Sequence, residues 1–184
     1  MKKIFSKGLV LTLAGLFVTS LIFAQQDKSK RASPPETATG TVAGSTITIN
    51  YSSPAVKGRK IWGDLVPYDK IWRLGANEVT TFQTSKDIMV QGKKLPAGTY
   101  ALYALPTQNE WTFIFNSKST EDGKPLWGIK DEAGTTTDDP ATEVLRVTAK
   151  PMKSSTFNER MKFVINSSGF VFEWENLKVP VSIK

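Results

Sequence analysis

The chain has 184 residues, with 24 Lys and Arg against 17 Asp and Glu, a formal net charge of +7, and neither Cys nor His. Without Cys there are no disulfides, thiol nucleophiles or thiolate metal sites, and without His there is no Ser-His-Asp or Cys-His mechanism and no zinc site of the usual kind. We therefore expect a protein that is not an enzyme and that holds neither a metal nor a cofactor.

Residues 1–24 have the pattern of a secretory signal peptide. Lys2, Lys3 and Lys7 precede an apolar run that ends at Ala24, followed by Gln25. The alternative is an uncleaved anchor, but a spanning helix needs about 20 apolar residues and this run is shorter. We expect cleavage after Ala24 and an exported protein, periplasmic or secreted, that does not insert into the membrane.

The remaining charge argues against a nucleic-acid partner. Residues 1–24 carry three lysines, so the formal charge of the rest of the chain falls from +7 to +4. These charges are mixed in sign along the sequence, without the basic stripe that nucleic-acid binding requires. Residues 25–39 are polar and contain Pro34 and Pro35, and we predict a flexible lead-in before a single domain at residues 40–184.

A two-residue period dominates the chain from residue 40 onward. Apolar and polar residues alternate in short runs that are separated by turn residues, and no run shows the 3.6-residue stripe of a helix. The predicted strands cover residues 46–51, 79–84, 88–91, 100–105, 111–116, 143–148, 160–165, 170–175 and 179–183. Eight to nine short strands predict an all-β, two-sheet β-sandwich that is jelly-roll-like.

The longest irregular stretch is predicted at residues 117–141. It contains Asp131, Glu132, Asp138 and Asp139, whose oxygens are of the type that Ca²⁺ prefers. Their spacing matches no calcium loop, so we favour a solvated loop.

The segment from residue 59 to residue 78 is the best candidate for a site. It combines aromatic rings with a guanidinium, an amide and a carboxylate, the usual parts of a pocket for a sugar or another small polar ligand. The candidate ligand-binding residues are Arg59, Trp62, Tyr68, Trp72, Arg73, Asn77 and Glu78. In a structural alternative, the same tryptophans are buried and the arginines pair with Asp64 or Glu78 to hold a long connection.

The same region resembles a family of exported bacterial proteins known as domain of unknown function 2911. The motifs that carry the resemblance include Tyr51-Ser52-Ser53-Pro54, Lys57-Gly58-Arg59-Lys60-Ile61-Trp62-Gly63, Ile71-Trp72-Arg73-Leu74-Gly75-Ala76-Asn77-Glu78 and Leu95-Pro96-Ala97-Gly98-Thr99-Tyr100. The resemblance implies a leader peptide and a β-rich domain. It implies no activity.

Three functions compete. The first is a non-catalytic binding or interaction module of the cell envelope, for a carbohydrate or small polar ligand. The second is a glycan hydrolase in which Asp64 and Glu78 act as the two carboxylates. The third is a structural or assembly component whose sheet edge pairs with another envelope protein.

Overall fold

The computed structural model describes residues 27–130 and 136–184. The predicted signal peptide lies outside the described residues, as do Asp131 and Glu132. Within the described ranges, no helix has the length and apolar character needed to cross a membrane.

The described chain is nearly all strand. Two short 3-10 helices occur, η1 (Lys28–Lys30) and η2 (Pro140–Thr142). The strands are β1 (Pro35–Val42), β2 (Ser45–Ser52), β3 (Thr81–Thr84), β4 (Ile88–Val90), β5 (Lys93–Leu95), β6 (Gly98–Pro106), β7 (Trp111–Asn116), β8 (Thr120–Glu121), β9 (Lys124–Pro125), β10 (Ile129–Lys130), β11 (Thr136–Thr137), β12 (Glu143–Ala149), β13 (Met152–Asn166) and β14 (Gly169–Ser182). The prediction of an all-β, sandwich-like fold is confirmed.

The larger layer is a six-stranded antiparallel sheet in the order β1-β2-β3-β6-β7-β12. Chain neighbours are therefore sheet neighbours, except where the β4–β5 hairpin and the segments between β7 and β12 interrupt the order. Strand β6 pairs with β3 on one side and β7 on the other. This central position explains why Tyr100 to Ala104 are all buried, since both faces of the strand are covered.

The β13–β14 hairpin supplies the second layer. Alternate residues of β14 face the large sheet, and Phe170 packs on Phe113 with ring centroids 5.7 Å apart while Phe172 packs on Trp111 at 5.1 Å. The sequence predicts two strands at 170–175 and 179–183, but they form the single strand β14. Glu175, the last residue of the first predicted strand, has φ 55 and lies where the β13–β14 register shifts. This irregularity interrupts the alternation of the sequence and explains why one strand was predicted as two.

The structure places a strand inside the predicted lead-in, residues 25–39. Strand β1 begins at Pro35 and pairs with β2 from Pro35↔Ser52 to Val42↔Ser45. Most of β1 is exposed, so its order comes from backbone hydrogen bonds along the sheet edge rather than from burial. A polar composition cannot reveal that kind of order.

The predicted irregular stretch at 117–141 contains short pairings where it is described. Strands β8 and β9 form a hairpin, β10 pairs with β11, and η2 follows. The Asp139 side chain caps η2 by accepting from the Ala141 amide at 3.0 Å. Among the described residues, no group of three or more carboxylates is placed to hold a metal ion.

Candidate functional site

The segment between β2 and β3, residues 53–80, carries the candidate site. It has no named strand but is fastened to the sandwich by isolated bridges, Ala55↔Arg160 and Trp72↔Ala104. The Trp72 amide donates to the Ala104 carbonyl at 2.7 Å, and the Ala104 amide donates back to the Trp72 carbonyl at 2.8 Å. These two hydrogen bonds hold the Trp72 backbone beside the central strand β6. The Trp72 side chain packs against the core.

Four tryptophans meet at that end of the core. Trp62 lies with its ring centroid 5.2 Å from Trp111 and 5.8 Å from Trp174, edge to face. Trp72 stacks on Trp174 at 6.0 Å with the planes 19° apart. Such ring pairs add about 0.5–1.5 kcal/mol beyond the area that they bury. The cluster therefore makes a rigid aromatic wall.

A cavity of about 420 Å³ opens against this wall. Its volume lies within the range of small-molecule sites, about 300–1,000 Å³. The lining residues are Ser33, Pro54, Arg59, Leu65, Val66, Pro67, Lys70, Ile71, Trp72, Arg73, Gly75, Ala76, Thr136 and Trp174. Among these described residues, three are cations and none is Asp or Glu.

Arg73 is the most confined of the three cations. It donates from Nη1 to the Thr136 hydroxyl at 3.4 Å, and its Nε is buried without a hydrogen-bond partner. Burial lowers the pKa of Arg73, and the nearby Tyr103 opposes this only in part. Among the described residues, no carboxylate forms an ion pair with Arg73.

Arg59 lines the same cavity but is held by its own loop. Its guanidinium donates from Nε to the Val56 carbonyl at 3.1 Å and from Nη2 to the Ala55 carbonyl. The loop turns at Lys57 and Gly58, both with positive φ, and the Arg59 amide donates to the Val56 carbonyl at 3.0 Å. This is the geometry of a type I′ turn, for which Gly at the second central position is preferred.

Three indole N–H groups of the aromatic wall are buried and have no hydrogen-bond partner: Trp62 Nε1, Trp111 Nε1 and Trp174 Nε1. An indole nitrogen donates and never accepts. Most buried donors in folded proteins are paired, so three such groups beside one cavity require an explanation. Trp174 lines the cavity itself, while Trp62 and Trp111 pack behind it.

The remaining predicted site residues lie elsewhere. Tyr68 packs on the turn at Gly63, where an added Cβ would come within 3.1 Å of the Tyr68 ring. The Asn77 side chain donates to the Ser33 carbonyl at 3.0 Å. Glu78 pairs with Lys28 at 3.0 Å and Arg31 at 2.7 Å. Asn77 and Glu78 therefore fasten residues 28–33 to the segment, which is a structural role.

Glu78 lines a second, smaller cavity of about 250 Å³ together with Lys28, Tyr51 and Val79. Burial alone would raise the pKa of Glu78, but the hydrogen bonds from Arg31 and Lys28 outweigh it and lower the pKa to about 2. This carboxylate is therefore charged and paired at neutral pH.

The structure does not bring Asp64 and Glu78 into one site. Asp64 is exposed in the turn between Trp62 and Val66 and lines neither cavity. Glu78 already has two cationic partners. The carboxylate pair on which the glycan hydrolase hypothesis depends is not formed.

A different carboxylate pair lies in the loop before β12. Asp138 is 3% exposed, and burial together with the neighbouring Glu143 raises its pKa to about 6. Glu143 is bonded to the Arg146 guanidinium, which lowers the pKa of Glu143. Arg146 also lies 3.8 Å from Asp138. Neither acid lines the larger cavity.

Left-handed backbone conformations recur in the segment, which holds four of the eight described non-glycine residues with positive φ. Lys57, Asp69, Leu74 and Asn77 all have φ between 48 and 59, a region that disfavours residues with a Cβ. Leu74 is fully buried and adjoins Arg73. Strained residues of this kind cluster at functional sites, where the surroundings hold them in place.

Sequence reasoning missed several lining residues. Lys70 is an exposed surface lysine and Trp174 belongs to a regular strand, so neither stands out by composition. Ser33 lies in the predicted lead-in and Thr136 in the predicted loop. Gly75 was a usable signal, because an added Cβ there would lie 2.9 Å from the Ser52 carbonyl oxygen, and such close approaches require glycine.

A family model described as "protein of unknown function (DUF2911)" matches residues 33–183. The chain belongs to this family. The resemblance identified from the sequence motifs is thereby confirmed, and the match spans both sheet layers and the whole cavity lining. Comparison with curated proteins and with solved structures finds no match.

Proposed function

We propose that this protein is a non-catalytic binding module of the cell envelope, and that the cavity beside Trp72 takes a small polar ligand with a ring, such as a saccharide. The observation that carries the proposal is the cavity of about 420 Å³, with Trp72 and Trp174 in its wall and Arg59, Lys70 and Arg73 around it. Aromatic surface accepts the apolar face of a sugar ring, and a few fixed polar groups set its orientation. The envelope assignment depends on the signal peptide predicted at residues 1–24.

Rigidity of the wall supports the proposal. Trp72 is held by two backbone hydrogen bonds to Ala104 and by its stacking on Trp174. Binding to a rigid surface requires little ordering of the protein, so less of the interaction energy is lost.

The test is a tryptophan-fluorescence titration of the purified protein with glucose, N-acetylglucosamine, glucuronate and galacturonate. We expect a saturable change with at least one sugar. Trp72→Phe should weaken that binding several-fold and Trp72→Ala should weaken it further, because the stacking surface shrinks in that order.

Trp127→Phe is the matched control. Trp127 is 56% exposed, lies beside Arg31 and does not line the cavity, so this variant should bind as the wild type does. The proposal is wrong if none of the four sugars gives a saturable change, or if the change persists unaltered in a folded Trp72→Phe protein and disappears in Trp127→Phe.

A further inference from the structure

The cavity is lined by positive charge. Arg59, Lys70 and Arg73 line it, and none of the described residues in its lining is Asp or Glu. Of the arginines outside the cavity, Arg31 pairs with Glu78 and Arg146 pairs with Glu143, whereas Arg160 donates to the Ser53 carbonyl. Arg73 has no carboxylate partner among the described residues, and it lines a cavity large enough to admit a small anion.

Arg73 is the least exposed of the three cations that line the cavity. Its charge is partly withdrawn from water, which disfavours the charged form unless an anion is near. Its hydrogen bond to Thr136 is long at 3.4 Å, and its buried Nε has no partner among the described residues. A carboxylate or phosphate binds a guanidinium through two parallel hydrogen bonds, and because Nε of Arg73 is buried, these would involve its Nη groups.

The aromatic wall supplies the surface for the ring of the ligand. Trp72 and Trp174 line the cavity, whereas the indole N–H groups of Trp62, Trp111 and Trp174 are buried out of reach of a ligand. The wall therefore contributes aromatic contact, and the hydrogen bonds to the ligand come from the cations.

We propose that the ligand is a small organic anion, an oxyanion group attached to a ring, with the anion on Arg73 and the ring against Trp72. This inference rests on the proposed function and narrows its ligand class. Lys70, which is exposed at the cavity, adds attraction that salt screens.

The experiment compares glucose, glucuronate and glucose 6-phosphate by titration calorimetry, at low ionic strength and again in 0.5 M NaCl. These probes share one ring and differ in carrying no anion, a carboxylate or a phosphate. We expect one of the two anions to bind at least tenfold more tightly than glucose, and salt to reduce that difference. The tighter of the two anions identifies the oxyanion.

Substitutions in the cavity lining test whether the preference for anions over glucose arises there. Arg73→Met should weaken anion binding at least tenfold while changing glucose binding little, and Arg73→Lys should restore only part of it because an ammonium lacks the planar fork. Lys70→Gln should weaken anion binding a few-fold. Lys150→Gln, at an exposed lysine outside the cavity, is the control and should bind as wild type.

Three results would overturn the inference, and one of them would also overturn the proposed function. Equal affinity for glucose and both anions refutes the anionic ligand and leaves the sugar-binding proposal standing. Absence of binding by all three probes, together with no response in the fluorescence panel, removes both. Anion binding that survives Arg73→Met at full strength also overturns the inference.

Discussion

The two sheet layers differ from the segment between β2 and β3 in how regular the backbone is and in how the side chains pack. In the sheets, alternating apolar residues interdigitate across the layers and the backbone is paired strand to strand. In the segment between β2 and β3, the backbone takes left-handed turns, and Arg73 lies in the cavity wall without a carboxylate partner among the described residues. The sheets gain stability mainly from apolar packing, although the indole N–H groups of Trp111 and Trp174 are unpaired there, whereas the segment leaves a charged group unpaired.

The substitution Phe113→Ala, in the large sheet, should cause the largest loss of folding stability. Phe113 is fully buried and packs on Phe170, so its removal should lower the free energy of unfolding by about 3–5 kcal/mol. Chemical denaturation of the purified protein measures the change. Lys70→Gln, in the irregular segment, should leave stability within about 0.5 kcal/mol. A loss below about 1 kcal/mol for Phe113→Ala would contradict the assignment of this layer contact to the core.

Glu78→Gln tests the ion pairs that fasten residues 28–33 to the segment. Because the pKa of Glu78 is lowered to about 2, below its ordinary 4.5, its charge stabilises the folded protein at pH above about 4.5. This contribution is lost as the pH falls towards 2. The variant should therefore be less stable by about 1 kcal/mol at pH 7, with the difference from wild type vanishing near pH 2.

Denaturation midpoints at pH 7, 4 and 2.5 measure this effect, with Glu110→Gln as the control at an exposed glutamate. A difference between Glu78→Gln and wild type that is the same at all three pH values would show that the charge of Glu78 is not the cause.

Arg73→Met should produce the smallest change, and in the unusual direction. An unpaired, partly buried cation is replaced by an apolar side chain, so stability should stay the same or rise by up to about 1 kcal/mol. The matched variant Arg31→Met breaks the pair with Glu78 and should lower stability instead. A loss for Arg73→Met as large as that for Arg31→Met would mean that Arg73 is a structural tie.

Local sequence pattern was enough to predict the fold class and most strands, because burial on one or both faces leaves a two-residue period. It did not predict elements whose structure depends on backbone hydrogen bonds or on a register shift rather than on buried apolar side chains. Strand β1 is mostly exposed and is ordered by its hydrogen bonds to β2, and the shift at Glu175 hides the continuity of β14. Neither feature has an apolar signature.

The candidate site was predicted in part. Arg59, Trp72 and Arg73 lie together at the larger cavity, whereas Asn77 and Glu78 face residues 28–33. All five belong to one short run of sequence, and which side of the connection each faces depends on its left-handed turns. Those turns place non-glycine residues at positive φ, and sequence gives little warning of them. Lys70 belongs to the same run but has no pattern that distinguishes it, whereas Thr136 and Trp174 join the cavity only through tertiary contacts.

The cavity is lined by residues from distant parts of the chain. Its wall contains Ser33 from near the start of the described chain and Trp174 from the last strand, with the β2–β3 connection between them. The hairpins close through local contacts that form early, while contacts between distant parts of the chain form slowly. The cavity therefore exists only once the first and last portions of the domain have both docked. A ligand that binds there stabilises the completed protein alone, and its binding measures the fraction of molecules that have finished folding.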